Sequence, residues 1–155
     1  DLIRAIARRG GFIGVNFHPA FIRRRVHEQI ESRFAAWEQE IKARSRGRED
    51  DPKFLSDLEW EYFAKAARAA DPVALDDLID HVVHIALVGG LDCVGLGSDF
   101  DGIASTPVGL GSAAFFPALA AGLRRRGLRA GEARQVLGLN LRRFLLRVER
   151  AGGAR

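Results

Sequence analysis

The sequence predicts an α/β fold in which a parallel sheet is covered by helices on its outer side. Two observations predict it. The runs 12–17 and 92–96 are short and almost entirely apolar, as strands buried on both faces are. Each follows a helix-like segment that stops at a glycine pair, Gly10-Gly11 or Gly89-Gly90, and helical spacing governs most of the remaining chain. Two strands cannot close a barrel or make a satisfactory sheet. The expected architecture is therefore a piece of a larger α/β structure.

The elements follow in order. Leu2-Ile-Arg-Ala-Ile-Ala-Arg-Arg9 has the amphipathic spacing of a helix already under way, with only Asp1 available as an N-cap. The chain holds no methionine, so its first residue is not an unprocessed translation start, and something upstream is expected. The first strand is Phe12-Ile-Gly-Val-Asn-Phe17, ended by His18-Pro19. From about Ala20 to Lys65 the chain is polar and helix-prone, broken at Ser45-Arg-Gly-Arg-Glu-Asp-Asp-Pro52, which predicts two helices joined by a loop. Trp37, Trp60, Tyr62 and Phe63 supply an apolar face, so this excursion, at about 22–70, packs rather than staying disordered.

Asp71-Pro72 reads as the start of the next helix, in which Leu75, Leu78, Ile79, Val82, Val83 and Ala86 keep helical spacing. Gly89-Gly90 ends it and the second strand follows at once. A loop at 101–111 then leads to helices over about 113–125, 130–137 and 140–150. The 155 residues suffice for one domain and are assigned to one.

A net charge of +4, carried mainly by arginines such as 23–25, 124–126 and 142–143, raises the question of nucleic acid. The arginines are scattered over several helices and interleaved with Glu28, Glu31, Glu38, Glu40 and Glu132. No aromatic-plus-basic strand or Cys/His finger accompanies them, so they read as solvated helix faces and nucleic acid is not expected as a partner. No apolar run approaches the length of about 20 residues that a membrane span needs. Nothing at the start resembles a signal peptide, and the lone Cys93, inside an apolar strand, gives no disulfide framework that would argue for secretion. The compartment is weakly constrained, with the cytoplasm favoured.

The second strand ends abruptly on acid: Val94-Gly-Leu-Gly-Ser-Asp-Phe-Asp-Gly-Ile103. Ligands and catalytic groups collect at the C-terminal ends of parallel strands, which makes Asp99 a candidate for chemistry. A plain Asp101-Gly102 turn is the alternative. Asp77, His81 and His84 stand at helical spacings that zinc would accept. They lie on a helix that precedes a strand, on the outside of such a fold, so surface histidines and an Asp80–His84 pair are the ordinary explanation. His27, in the charged excursion, has no evident role.

Four segments, in order, carry a resemblance. Gly14-Val-Asn-Phe17, Asp80-His-Val-Val-His-Ile85, Val94-Gly-Leu-Gly-Ser-Asp-Phe-Asp-Gly102 and Gly138-Leu-Asn-Leu-Arg142 are similar to the C-terminal part of the membrane dipeptidases, also called renal or microsomal dipeptidases, peptidase family M19. The match covers nearly the whole chain and is loose only over the excursion. It implies the C-terminal portion of a (β/α)8 TIM barrel: the last two strands, their covering helices and a helical insertion. It also implies zinc-dependent hydrolysis of dipeptides, with two zinc ions per complete active site.

The resemblance places the family's zinc ligands, an early His-x-Asp pair, a bridging Glu and two later histidines, upstream of the position of Asp1. No residue of this chain is therefore expected to bind metal. Asp99 matches the family's acid at the end of the last strand, which passes a proton to the leaving amine and meets the substrate's amino group. His18 and Phe21 fall where the family lines its substrate pocket with aromatic residues. At His18 the chain departs from the tyrosine of some relatives, which changes the hydrogen bonds available to substrate; alternatively His18 only caps a strand before Pro19. Asp101 is expected to hold the loop through Asx-type hydrogen bonds.

Three functional classes follow. One is a metallodipeptidase completed by a missing N-terminal part or a partner chain. Another is a catalytically inactive fragment or interaction domain derived from a barrel hydrolase. The third is another metal-dependent hydrolase of barrel type. In each, the chain alone is expected to be inactive, for want of metal to activate water, and to self-associate through its open strand edges.

Overall fold

Strand β1 (Ile13–Val15) lies parallel to β2 (Val94–Leu96), with Ile13 opposite Val94, Gly14 opposite Gly95 and Val15 opposite Leu96. The computed structural model describes residues 2–153; Asp1, the expected N-cap of the first helix, lies outside them. Both strands are shorter than the apolar runs that predict them. Leu91–Cys93 winds into a 3-10 turn before β2, and after Val15 one further bond, from the Gly97 N–H to the Val15 carbonyl at 2.9 Å, extends the ladder. The backbones then run so close that a Cβ on Gly97 would stand 3.0 Å from the Gly14 carbonyl. Only glycine fits that approach.

Helix α1 (Leu2–Arg8) packs on α6 (Leu75–Gly89), which buries Leu78, Ile79 and Val82. The excursion expected as two helices contains four: α2 (Pro19–Ile22), α3 (Arg24–Ala36), α4 (Glu38–Ser45) and α5 (Pro52–Ala69). Arg23, extended at φ −125°, ψ 115°, divides the first pair, and Trp37, at φ −97°, ψ 2°, divides the second. The expected break between Ser45 and Pro52 is present, and Asp51 starts α5 by accepting the Phe54 N–H at 3.0 Å. α3 packs on α5, burying Val26 and Ile30 against Leu58, Tyr62 and Ala66.

Asp71 does not start α6. Its backbone N–H and its carboxylate both bond Gln29, at 2.9 Å each, and α6 begins at Leu75 with the Asp77 carboxylate accepting the Ala74 N–H at 3.2 Å. After a 3-10 turn at Ala113–Phe115 come α7 (Phe116–Arg125) and α8 (Ala130–Arg134). The two last helices expected as separate are joined by a wide π turn, Gln135–Leu139, into α9 (Asn140–Gly152). Asn140, buried, explains the junction: its Nδ2 donates to the carbonyls of Leu91 at 2.7 Å and Val94 at 2.8 Å, tying α9 to the start of β2.

The core gathers Phe17, Leu78, Ile79, Val82, Val94, Leu110, Leu119 and Leu123. Several of the solvated arginines also bridge elements. Arg23 pairs with Asp77, Arg126 with Asp80 at 2.8 Å and Arg143 with Asp92 at 2.7 Å. The Asp80 carboxylate is thus engaged by Arg126, not by His84, because a permanently charged guanidinium fork suits a carboxylate better than a surface imidazole. Among the described residues no helix is long and apolar enough to cross a membrane.

Candidate functional site

Parallel pairing brings the C-terminal ends of β1 and β2 side by side, and two polar side chains meet there. The Asn16 Nδ2 donates to Asp99 Oδ2 at 3.0 Å. The other end of the Asn16 amide, Oδ1, accepts the backbone N–H of His18 at 2.7 Å. Asp99 is exposed and left-handed at φ 64°, a conformation Asp tolerates better than most residues and that no other non-glycine among the described residues adopts. Its carbonyl accepts the Gly102 N–H at 3.0 Å, which closes the turn. Next to it, Phe100 anchors the loop by an edge contact with buried Phe17, ring centres 5.6 Å apart.

His18 is 5% exposed, and its Nδ1 is buried without a hydrogen-bond partner. Burial pushes the imidazole below its ordinary value; the Asp99 charge opposes that shift and His27 adds to it. Its ring stands edge-on to exposed Phe21 at 5.2 Å and tilted against Phe63 at 5.7 Å. Phe63 in turn packs on Trp60 at 5.8 Å. Beyond them, a cleft of about 310 Å³ between α3 and α5 is lined by Glu31, Phe34, Ser56, Glu59, Trp60 and Phe63.

The structure thus groups Asp99, His18 and Phe21 at one rim and adds Asn16, which the sequence argument passed over. The signal was present: Asn16 is the one polar residue in an otherwise apolar strand run. Asp101 differs from expectation. It is exposed, and its carboxylate makes no hydrogen bond among the described residues; the turn is closed through backbone groups of Asp99 and Gly102 instead.

Among the described residues no group of three His, Cys, Asp or Glu side chains is placed to hold a metal ion. The helical trio on α6 is dispersed. Asp77 is held by Arg23 and the Ala74 N–H, while His81 Nε2 lies 3.1 Å from the Ile22 carbonyl. At the strand-end rim, Asp99 has an amide for its neighbour and His18 is sunk among aromatic rings, so these residues do not form a metal centre by themselves.

Comparison with known proteins agrees on one family. A family model described as membrane dipeptidase (peptidase family M19) matches residues 1–154. Dipeptidase ataJ of Aspergillus terreus is 43% identical over 72 residues, 46% of this chain and 18% of the relative. Dipeptidase verJ of Clonostachys rogersoniana is 37% identical over 87 residues, 56% of this chain and 22% of the relative. Dipeptidase tcpJ of Claviceps purpurea is 34% identical over 79 residues, 51% of this chain and 19% of the relative. The matched part is less than a quarter of each of these relatives.

Proposed function

Because the chain belongs to the membrane dipeptidase family, peptidase M19, we propose that it supplies one corner of a site that hydrolyses dipeptides, with Asp99 as its acid-base group. The observation that carries this is the exposed Asp99 carboxylate, set in a left-handed turn at the end of a parallel strand and oriented by a hydrogen bond from the neighbouring strand. Hydrolysis adds water across an amide. Asp99 takes a proton from the attacking water and returns it to the leaving nitrogen, and its charge receives the ammonium of the dipeptide. His18 and Phe21 form a wall of the pocket, with exposed Phe21 facing the substrate and the buried His18 ring packed edge-on behind it.

The family resemblance implies two zinc ions that activate the water. The described residues do not fit that centre, so in this proposal its ligands come from other residues, and proton transfer and substrate contact are what this chain contributes. The two parallel strands and their helices are read as part of a (β/α)8 barrel. A catalytically silent interaction domain is the second reading, favoured by the exposed apolar side chains of Leu141, Leu145 and Val148.

Zinc content and dipeptide hydrolysis, measured on the 155-residue chain alone and on the complete product of its gene, decide between these readings. We expect neither property in the chain alone and both in the complete product, with Asp99→Asn lowering the rate by about 100-fold or more. A folded, zinc-loaded product that cleaves no dipeptide, or one indifferent to Asp99→Asn, overturns the proposal.

A further inference from the structure

We infer that Asn16 is a positioning residue, one that sets which oxygen of Asp99 is presented to substrate; the inference rests on the reading of Asp99 as the acid-base group. The amide of Asn16 cannot rotate freely. A backbone N–H requires an acceptor, so the bond from His18 N–H at 2.7 Å places Oδ1 on that side and turns the NH2 group toward Asp99. Nδ2 then donates to Asp99 Oδ2 at 3.0 Å.

Strand pairing brings the two residues together. Val15 is opposite Leu96, and the following rung joins Gly97 to Val15, so the first polar side chain beyond β1 meets the acid just beyond β2. From the other side, Asp99 Oδ1 lies over Gly102, where a Cβ would stand 2.3 Å from it. The carboxylate is thus held between an amide donor and a glycine. Oδ2 is occupied, and Oδ1 has no hydrogen-bond partner among the described residues. Oδ1 is the oxygen left to receive the substrate's ammonium or a proton. A carboxylate free to rotate would lose that geometry, and a displacement of about 1 Å in a reacting group costs up to roughly 100-fold in rate.

Two measurements test this, and the first needs no activity. In the 155-residue chain labelled with 15N, one Asn16 Hδ2 proton is expected downfield of a free side-chain amide, and to return to the free position in Asp99→Ala. A free-amide position in the native chain, or no change in Asp99→Ala, overturns the inference. The second uses the complete gene product. Asn16→Ser keeps a side-chain oxygen that can accept the His18 N–H, is too short to reach Asp99 and adds no charge beside it, so a merely structural role survives it. We expect kcat/KM to fall roughly 100-fold in both Asn16→Ser and Asn16→Ala, with the melting temperature of Asn16→Ser above that of Asn16→Ala. Wild-type kcat/KM in Asn16→Ser refutes positioning. A product inactive throughout refutes the dipeptidase reading instead, and the amide resonance then decides the role of Asn16.

Discussion

Asn16 and Asp99, 83 residues apart in sequence, are joined by a 3.0 Å hydrogen bond at the ends of adjacent parallel strands. That bond makes a loop acid into an oriented one. Its geometry also depends on what lies beneath the carboxylate.

Gly102→Ala is expected to dislodge Asp99. The added Cβ would stand 2.3 Å from Oδ1, so the carboxylate must move and its bond from Asn16 is disturbed. Stability should fall by about 1 kcal/mol, the net worth of an ordinary hydrogen bond, while dipeptide hydrolysis by the gene product falls as in Asn16→Ala. Urea denaturation and an activity assay check the pair. Full activity in Gly102→Ala shows that the close approach is not required.

Stability is expected to fall in mild acid because of His18. Its folded value lies below the ordinary 6.5, so as pH drops below that point the unfolded chain takes up a proton that the folded one refuses. The contribution is therefore nil above about pH 6.5 and increasingly unfavourable below it. His18→Phe keeps a ring against Phe21 and Phe63 and removes the titration. Its denaturation midpoints between pH 7.5 and pH 5 should show a shallower decline than wild type; identical slopes would assign the acid sensitivity elsewhere.

Asn140→Ala should cost about 2–4 kcal/mol. The substitution removes both donors that satisfy the Leu91 and Val94 carbonyls at the start of β2, and with them the acceptor for Arg143. Chemical denaturation measures the loss, and a value under about 1 kcal/mol would mean that water replaces the amide.

The chain alone is expected to self-associate. Leu141, Leu145 and Val148, spaced along one face of α9, are 37%, 49% and 52% exposed, and among the described residues no third strand pairs with either edge of the two-stranded sheet. Light scattering during size-exclusion chromatography should show species above 17.0 kDa, reduced when the three residues are changed to lysine. A monodisperse monomer at high concentration contradicts this.

Much of the local structure was legible from residue patterns. The apolar spacing of α6, the break between Ser45 and Pro52 and the two apolar strands follow from short-range chemistry, and the strand-end acid stood out because a run of small apolar residues ends on it. The start of α6 was misread at Asp71 because its partner, Gln29, is 42 residues away. The Asp80–His84 pair failed for the same reason, since Arg126 reaches Asp80 from another helix.

The sequence by itself determined the element types, the family and the candidate acid, because periodicity, turn chemistry and motif order are properties of neighbouring residues. Tertiary structure alone decided that Asn16 holds Asp99, that His18 is buried with a free nitrogen, and that Arg126 rather than His84 engages Asp80. Each of these depends on distances between segments remote in the chain, which the parallel pairing of β1 with β2 and the packing of the helices create.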